Sequence, residues 1–258
     1  MKHDFGKRTS KSLAFITTIL ISACGGGGGS SPPSPSAEGV YGGALSGGTS
    51  SSSSFQALVL ENDEFWVLYG TQSSTIFFVA GFIQGPGTSS NGTFTSSSLK
   101  DYGVIPPLTG TATATYSADA KTINGSANFS GRTVGFNGGP IAGSLYNYNS
   151  AATLSTISGA WPVTVNTGES ANLSVGSTGT ISLLSSRGCT GTGNATPRAS
   201  GKNVFNVSLT FGPAPCALPG GTITGIAIAY PLSNGRTQII AGGKNSAQTA
   251  GFMVFGTR

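Results

Sequence analysis

Beyond His3 the chain has no histidine. A Ser-His-Asp or Cys-His centre needs an imidazole to carry a proton, and the common zinc and iron sites rely on histidine too. Both are excluded outside the extreme N-terminus. A Ser-Lys dyad stays formally open, but the abundant serine comes without a Gly-x-Ser-x-Gly nucleophile turn. Charge is also scarce, at 8% of residues, and its basic part is scattered. Lys100, Lys121, Arg132, Arg187, Arg198, Lys202, Arg236 and Lys244 form no cluster, so nucleic acid, which calls for a basic patch, is not expected as a partner. The carboxylates Glu38, Glu61, Asp63, Glu64, Asp101, Asp119 and Glu169 fall almost all in predicted turns. Glycoside hydrolysis needs two of them facing across a cleft. Glu61-Asn62-Asp63-Glu64 gathers oxygen ligands for a weak calcium site but lacks EF-hand spacing, and reads as a solvated turn. Neither a cofactor nor an enzymatic activity is expected.

Long apolar runs are missing as well, except from Leu13 to Ile21. Lys2, Lys7, Arg8 and Lys11 precede that run, and the small residues Ser22 and Ala23 end it before Cys24. This is the charged start, apolar middle and cleavage site of an export signal, residues 1–23. No later run reaches the roughly 18 residues of a membrane helix. With the signal removed, nine basic and seven acidic residues remain, a charge of about +2 against +5 for the whole chain. Residues 24–37 follow as Cys24 and a Gly/Ser/Pro stretch that cannot bury enough apolar surface to fold and serves as a tether.

What remains reads as β-structure. Short apolar runs alternate with polar residues, and no convincing helix is found after the signal. The chain order suggests two units, 38–149 and 158–258, joined by a connector, 150–157. Gly159-Ala160-Trp161 echoes Gly39-Val40-Tyr41. The predicted hairpin over 171–184 echoes that over 55–69, and Thr224-Gly-Ile-Ala-Ile-Ala-Tyr230 echoes Thr109-Gly-Thr-Ala-Thr-Ala-Thr-Tyr116. Within the first unit, Val134 to Phe136 and Ile141 to Tyr148 are its last expected strands. Each unit then has about eight meandering strands, which close naturally into a small antiparallel barrel. The fold class is therefore all-β, with two tandem barrel-like domains; a sandwich per unit is the runner-up.

The stretch Leu20-Ile21-Ser22-Ala23-Cys24 resembles the lipobox of bacterial lipoproteins. That resemblance implies a Cys24 acylated on sulfur, as with palmitate, and a lipid-bearing N-terminus after cleavage. Gly25 stands where inner-membrane retention signals carry aspartate, so the resemblance implies a membrane partner through the lipid and an outer-membrane location. It also leaves Cys189 and Cys216 as an even pair in an oxidising compartment, which reads as a disulfide. The alternative, a metal or redox site, lacks a CxxC spacing and a histidine. The mature chain further resembles uncharacterised proteobacterial lipoproteins with a Gly-rich tether and two β-rich halves, through Thr196 to Val207 and Pro215-Cys-Ala-Leu-Pro219. More loosely it is similar in architecture to surface lipoproteins that bind host transferrin or complement factors.

The expected role is thus non-enzymatic binding or adhesion on a lipid anchor, toward an unknown protein or small molecule. Arg187, Arg198, Tyr102, Tyr146 and Tyr148 are the candidate partner contacts. Tyr41, Trp66, Tyr69, Trp161 and Tyr230 could line a pocket, but more often such residues fill a core. One alternative is a carrier of a small hydrophobic ligand, with a cavity lined by residues such as Phe77, Phe78 and Phe82. The other is a hydrolase inhibitor acting through a protruding loop from Arg187 to Arg198. Labelled palmitate is expected to enter the wild-type protein and not Cys24→Ala; equal incorporation in both would remove the anchor.

Overall fold

The computed structural model describes residues 35–47, 53–72, 77–141 and 143–258. The signal, Cys24 and most of the tether lie outside the described residues. Residues Ser34 to Arg258 form one compact unit.

Its first half contains β1 (Gly39–Ser46), β2 (Ser54–Val59), β3 (Phe65–Gln72), β4 (Phe77–Gly85), β5 (Thr88–Ser90), β6 (Thr93–Asp101), β7 (Leu108–Ser117), β8 (Thr122–Phe129) and β9 (Arg132–Gly139). They form an antiparallel sheet in the order β4-β3-β2-β1-β9-β8-β7-β6-β5. It closes where β4 meets β6, through Ile83 with Asp101 and Gln84 with Lys100. The three-residue β5 only flanks β6, so eight strands make the wall. A single helical turn, α1 (Leu154–Ile157), precedes the second half. There β10 (Gly159–Val165), β11 (Ser170–Val175), β12 (Thr180–Ser185), β13 (Thr190–Pro197), β14 (Phe205–Phe211), β15 (Thr222–Pro231), β16 (Thr237–Lys244) and β17 (Gly251–Thr257) form a second closed barrel, with β17 returning to β10. The chain is all-β, with two tandem eight-stranded antiparallel barrels.

The sequence echo is also an echo of structure. Gly39 pairs with Val59 and Tyr41 with Ala57; Gly159 pairs with Val175 and Trp161 with Leu173. Both glycines have positive φ, +145° and +112°, a backbone that side chains disfavour. Each lets the chain turn under its barrel end. The following aromatic plugs that end and donates to the carbonyl four residues back: the Tyr41 hydroxyl to Ala37 at 2.6 Å and Trp161 Nε1 to Ile157 at 2.7 Å. Both rings are fully buried. The stretch Ile141 to Tyr148, expected as a strand, is not one. Once β9 has paired with β1, the first barrel has no free edge for it. The segment crosses to the second barrel instead, where Ser144 makes an isolated bridge to Leu232 and Asn203 N–H donates to the Tyr148 carbonyl at 3.0 Å.

The outer wall differs between equivalent strands. β7 presents exposed Thr109, Thr111, Thr113 and Thr115 to water, whereas β15 presents Ile226, Ile228 and Tyr230, all buried. A strand buried on both faces needs something packed outside the barrel. Here it is the other barrel: Leu58, Trp66, Phe82 and Tyr102 meet Ile226, Ile228, Ile240 and Met253 in one apolar seam. Phe82 stacks on Trp66 and on Tyr102, with ring centroids 6.0 and 4.9 Å away. Each large side chain buried this way contributes roughly 1.5–3 kcal/mol, and so the two barrels form one body. Among the described residues, every strand pairing lies inside Ser34–Arg258.

At Gly251 the seam leaves no room: an added Cβ would lie 2.4 Å from Phe82 Cζ and 2.8 Å from Tyr102 Cδ1. Gly251→Val is expected to destabilise the Ser34–Arg258 body by about 1–3 kcal/mol. Gly139→Ala, where nothing lies within 4 Å, serves as the unaffected control. Urea unfolding followed by tryptophan fluorescence checks both.

Candidate functional site

The two barrels share a plan but not a filling. The second is solid: Trp161, Leu173, Phe205, Phe211, Ile239 and their neighbours leave about 40 Å³ of void. The first encloses about 300 Å³. Part of the difference lies in single positions. Where the second barrel sets Leu173 opposite Trp161, the first sets Ala57 opposite Tyr41, and Ala112 and Ala127, cross-strand partners, also face the space. Phe55, Phe65, Phe94, Leu99 and Phe136 form much of the remaining apolar lining.

One end of this lumen is shut. Tyr41 and Tyr116 fill it, and the incoming chain crosses beneath them, with the Tyr116 hydroxyl donating to the Pro35 carbonyl at 2.6 Å. The other end carries a polar rim. Along β3 the lumen-facing series Phe65, Val67 ends in Tyr69. Along β6 the series Phe94, Leu99 ends in Asp101, and along β9 Phe136 and Val134 are continued by Arg132. Alternation thus delivers three polar groups to one end. Asp101 is 1% exposed. Its Oδ1 accepts from the Tyr69 hydroxyl at 2.6 Å and from Gly103 N–H at 2.9 Å. Arg132 Nη2 stands 4.0 Å from Oδ2, and its side chain is 41% exposed. Burial first, and then the Asp101 charge and hydrogen bond, push the Tyr69 phenol far above its ordinary value, with Arg132 opposing weakly. Tyr69 is therefore a permanent donor. Beside the rim, Val104 and Leu108 line the cavity and are partly exposed, and Ile105 is 98% exposed.

A wider concavity of about 930 Å³ lies outside the second barrel near Phe78 and Leu184. It is an open groove lined by apolar residues such as Phe78, Val79, Pro162, Val165 and Leu184 mixed with Ser, Thr and Gly, and no charged side chain among the described residues faces it. The aromatics expected to line a cavity are elsewhere: Phe77 and Phe82 are in the seam, and Phe78 is exposed. Trp66 and Tyr230 also belong to the seam, Trp161 fills the second barrel, Tyr41 plugs the shut end of the lumen, and Tyr69 stands at its rim.

The residues expected as partner contacts are mostly occupied within the chain. Tyr102, expected at an exposed loop, is 4% exposed against Phe82, and burial pushes its phenol up to about 12. Tyr148 is buried beside Glu61, and Tyr146 donates to the Asn203 carbonyl and packs edge-on to Tyr230. They sit near loops, but those loops lie between the barrels. Arg198 does clamp a carboxylate, that of Glu61 in the other barrel, with Nε 2.7 Å from Oε1. Lys202 does likewise with Glu38 at 3.0 Å. Arg187 is exposed. The stretch from Arg187 to Arg198 is no protruding loop, because it contains β13, paired on both sides. Cys189 and Cys216 form a disulfide joining the β12–β13 turn to the loop after β14. In the turn over 61–64 the carboxylates diverge to separate partners: Glu61 to Arg198, Asp63 to Ser89 and Glu64 to Gln84. Contrary to the expectation that the mature chain has no Ser-x-x-Lys, Ser97 and Lys100 have that spacing, and Lys100 Nζ donates to the Gln248 carbonyl at 3.1 Å.

No family model matches the chain, and no curated protein does. The resemblance to proteobacterial lipoproteins therefore rests on the sequence motifs alone. Among solved structures, a proposed outer membrane protein of Bacteroides fragilis is 15% identical over 85% of this chain and 96% of its own, with a TM-score of 0.28. A protein of unknown function from the DUF3598 family of Nostoc punctiforme is 13% identical over 86% and 96%, with a TM-score of 0.26. At such scores neither carries an argument about this chain.

The Glu61–Arg198 bridge gives a pH signature. Burial raises the Glu61 carboxyl, but the Arg198 hydrogen bond, a backbone hydrogen bond, the Arg198 charge and a Ser200 hydrogen bond together outweigh it, so its pKa lies below the ordinary 4.5. A lowered folded pKa gives stability that is full above the unfolded value and is lost as pH falls through the folded one. Wild type is expected to exceed Glu61→Gln by about 1 kcal/mol at neutral pH. The gap should hold down to the ordinary carboxylate value and close at more acid pH in urea titrations.

Proposed function

We propose that the chain is a non-enzymatic, lipid-anchored outer-membrane lipoprotein whose first barrel carries a small, largely apolar ligand in its lumen. The observation that carries the reading is the 300 Å³ lumen itself, set beside a twin barrel that leaves about 40 Å³. Binding sites for small molecules fall in this size range and combine an apolar lining with a few placed polar groups. The mouths of closed barrels are a usual place for them. Support for the anchor comes from the Ser22-Ala23-Cys24 motif. Support for a non-enzymatic role comes from the divergent carboxylates and from the lack of histidine beyond His3. Adhesion through Tyr102, Tyr146, Tyr148 or Arg198 has lost its support, since the seam occupies them.

The test is native mass spectrometry of the Ser34–Arg258 body after incubation with a total lipid extract, with and without Ala112→Leu/Ala127→Leu. The leucines extend from paired strands into the lumen, and a cooperative melt of the double variant reports that it is folded. A ligand of small mass should appear on wild type and be absent from the variant. Equal loading of the two would move the site out of the lumen, and a bare wild type would end the carrier reading.

A further inference from the structure

The rim identifies what kind of amphiphile the lumen takes. Of its two charges, Asp101 is spoken for: its carboxylate is 2% exposed and accepts from Tyr69 and Gly103. Arg132 is not. Its nearest approach to Asp101, 4.0 Å, is too long for a hydrogen bond. It makes no other hydrogen bond among the described residues, and its guanidinium lies 5.7 Å from the Phe129 ring centre. A guanidinium offers five donors in a planar fork suited to a carboxylate. This fork stands half-exposed at the top of an apolar shaft, on the same strand face as Val134 and Phe136. A cationic head would have to reach Asp101 past Arg132 and Tyr69; an anionic head meets Arg132 first.

Length follows from volume. At about 30 Å³ per water-sized group, 300 Å³ holds roughly ten heavy atoms. The Tyr41–Tyr116 floor stops a longer chain from passing through. The exposed apolar side chains of Val104, Ile105 and Leu108 give such a chain a greasy step from its source to the shaft.

We infer that the first barrel binds a single-chain anionic amphiphile of medium length, its alkyl chain in the lumen and its carboxylate held by Arg132 at the rim. The inference rests on the carrier reading above and adds the head group, the chain length and the residue that selects them.

Isothermal titration of the Ser34–Arg258 body with decanoate, 1-decanol, decyltrimethylammonium and hexadecanoate tests it. Decanoate is expected to bind best. Arg132→Gln should weaken decanoate about tenfold while leaving decanol within about twofold, and Arg132→Lys should restore part of the loss. Circular dichroism and decanol binding report whether either variant has lost its fold. Hexadecanoate should gain nothing over decanoate. If decanol binds as tightly as decanoate and Arg132→Gln changes neither, the anionic head is overturned while the lumen remains a site. Tighter binding of decyltrimethylammonium overturns it as well, and tighter hexadecanoate overturns the length. If none of the four binds, the carrier reading itself fails.

Discussion

A meander of strands leaves two raw edges unless the last strand finds the first, and in the first barrel that closure is narrow. β4 and β6 pair through Ile83 with Asp101 and Gln84 with Lys100, extended by Tyr102 N–H donating to the Phe82 carbonyl at 2.8 Å. Asp101 sits at the crossing of three demands. Its backbone is part of the closing pair, its carboxylate gathers the Tyr69 hydroxyl and Gly103 N–H, and the next residue, Tyr102, turns outward into the seam with the second barrel. Closure, rim and seam therefore meet at two consecutive residues. A buried carboxylate is tolerable only when donors satisfy it, and here those donors come from β3 and from the chain leaving β6. The rim is thus a consequence of how the barrel shuts, with half-exposed Arg132 ion-paired to Asp101 at 4.0 Å.

The seam explains why a protein so poor in charge can leave one barrel hollow. Outward Ile226, Ile228, Trp66 and Phe82 bury against one another, so the first barrel draws stability from outside its wall as well as from its interior. An apolar void of about 300 Å³ would cost on the order of several kcal/mol if sealed and empty. The apolar seam with the solid second barrel offsets part of that cost.

The fold was largely legible because its signals are local and repeated. Alternation in Thr109 to Tyr116 and the twin Gly-x-aromatic starts follow from strand geometry and one tight turn, and both survive in the structure. The seam left a signal too, since Ile-Ala-Ile-Ala over 226–229 is apolar on both faces where the equivalent threonine-rich strand is not. The signal is weak because the two strands share the Thr-Gly-x-Ala-x-Ala pattern and, within it, differ only in the outward residues. That same weakness puts Tyr102, Tyr146, Tyr148 and Arg198 on an outer surface, when loops joining two packed barrels lie between them. The site was less legible still. A lumen is a sum over eight strands that no short motif encodes, and Asp101 and Arg132 are separated by 31 positions in the sequence. Only the alternation that ends three lumen-facing series in Tyr69, Asp101 and Arg132 could have drawn attention to them.

The shared plan gives the asymmetry its meaning. Two copies of one plan, each shut at one end by an aromatic that donates four residues back, meet the same packing rules, and a core at native density tolerates few voids larger than a water molecule. The second copy obeys, with Leu173 and its neighbours filling the space. The first keeps Ala57, Ala112 and Ala127 where larger residues would fit. If stability alone set these positions, the same solution would serve both barrels. On the carrier reading proposed above, the small side chains are room kept for a molecule beside a barrel that is packed solid.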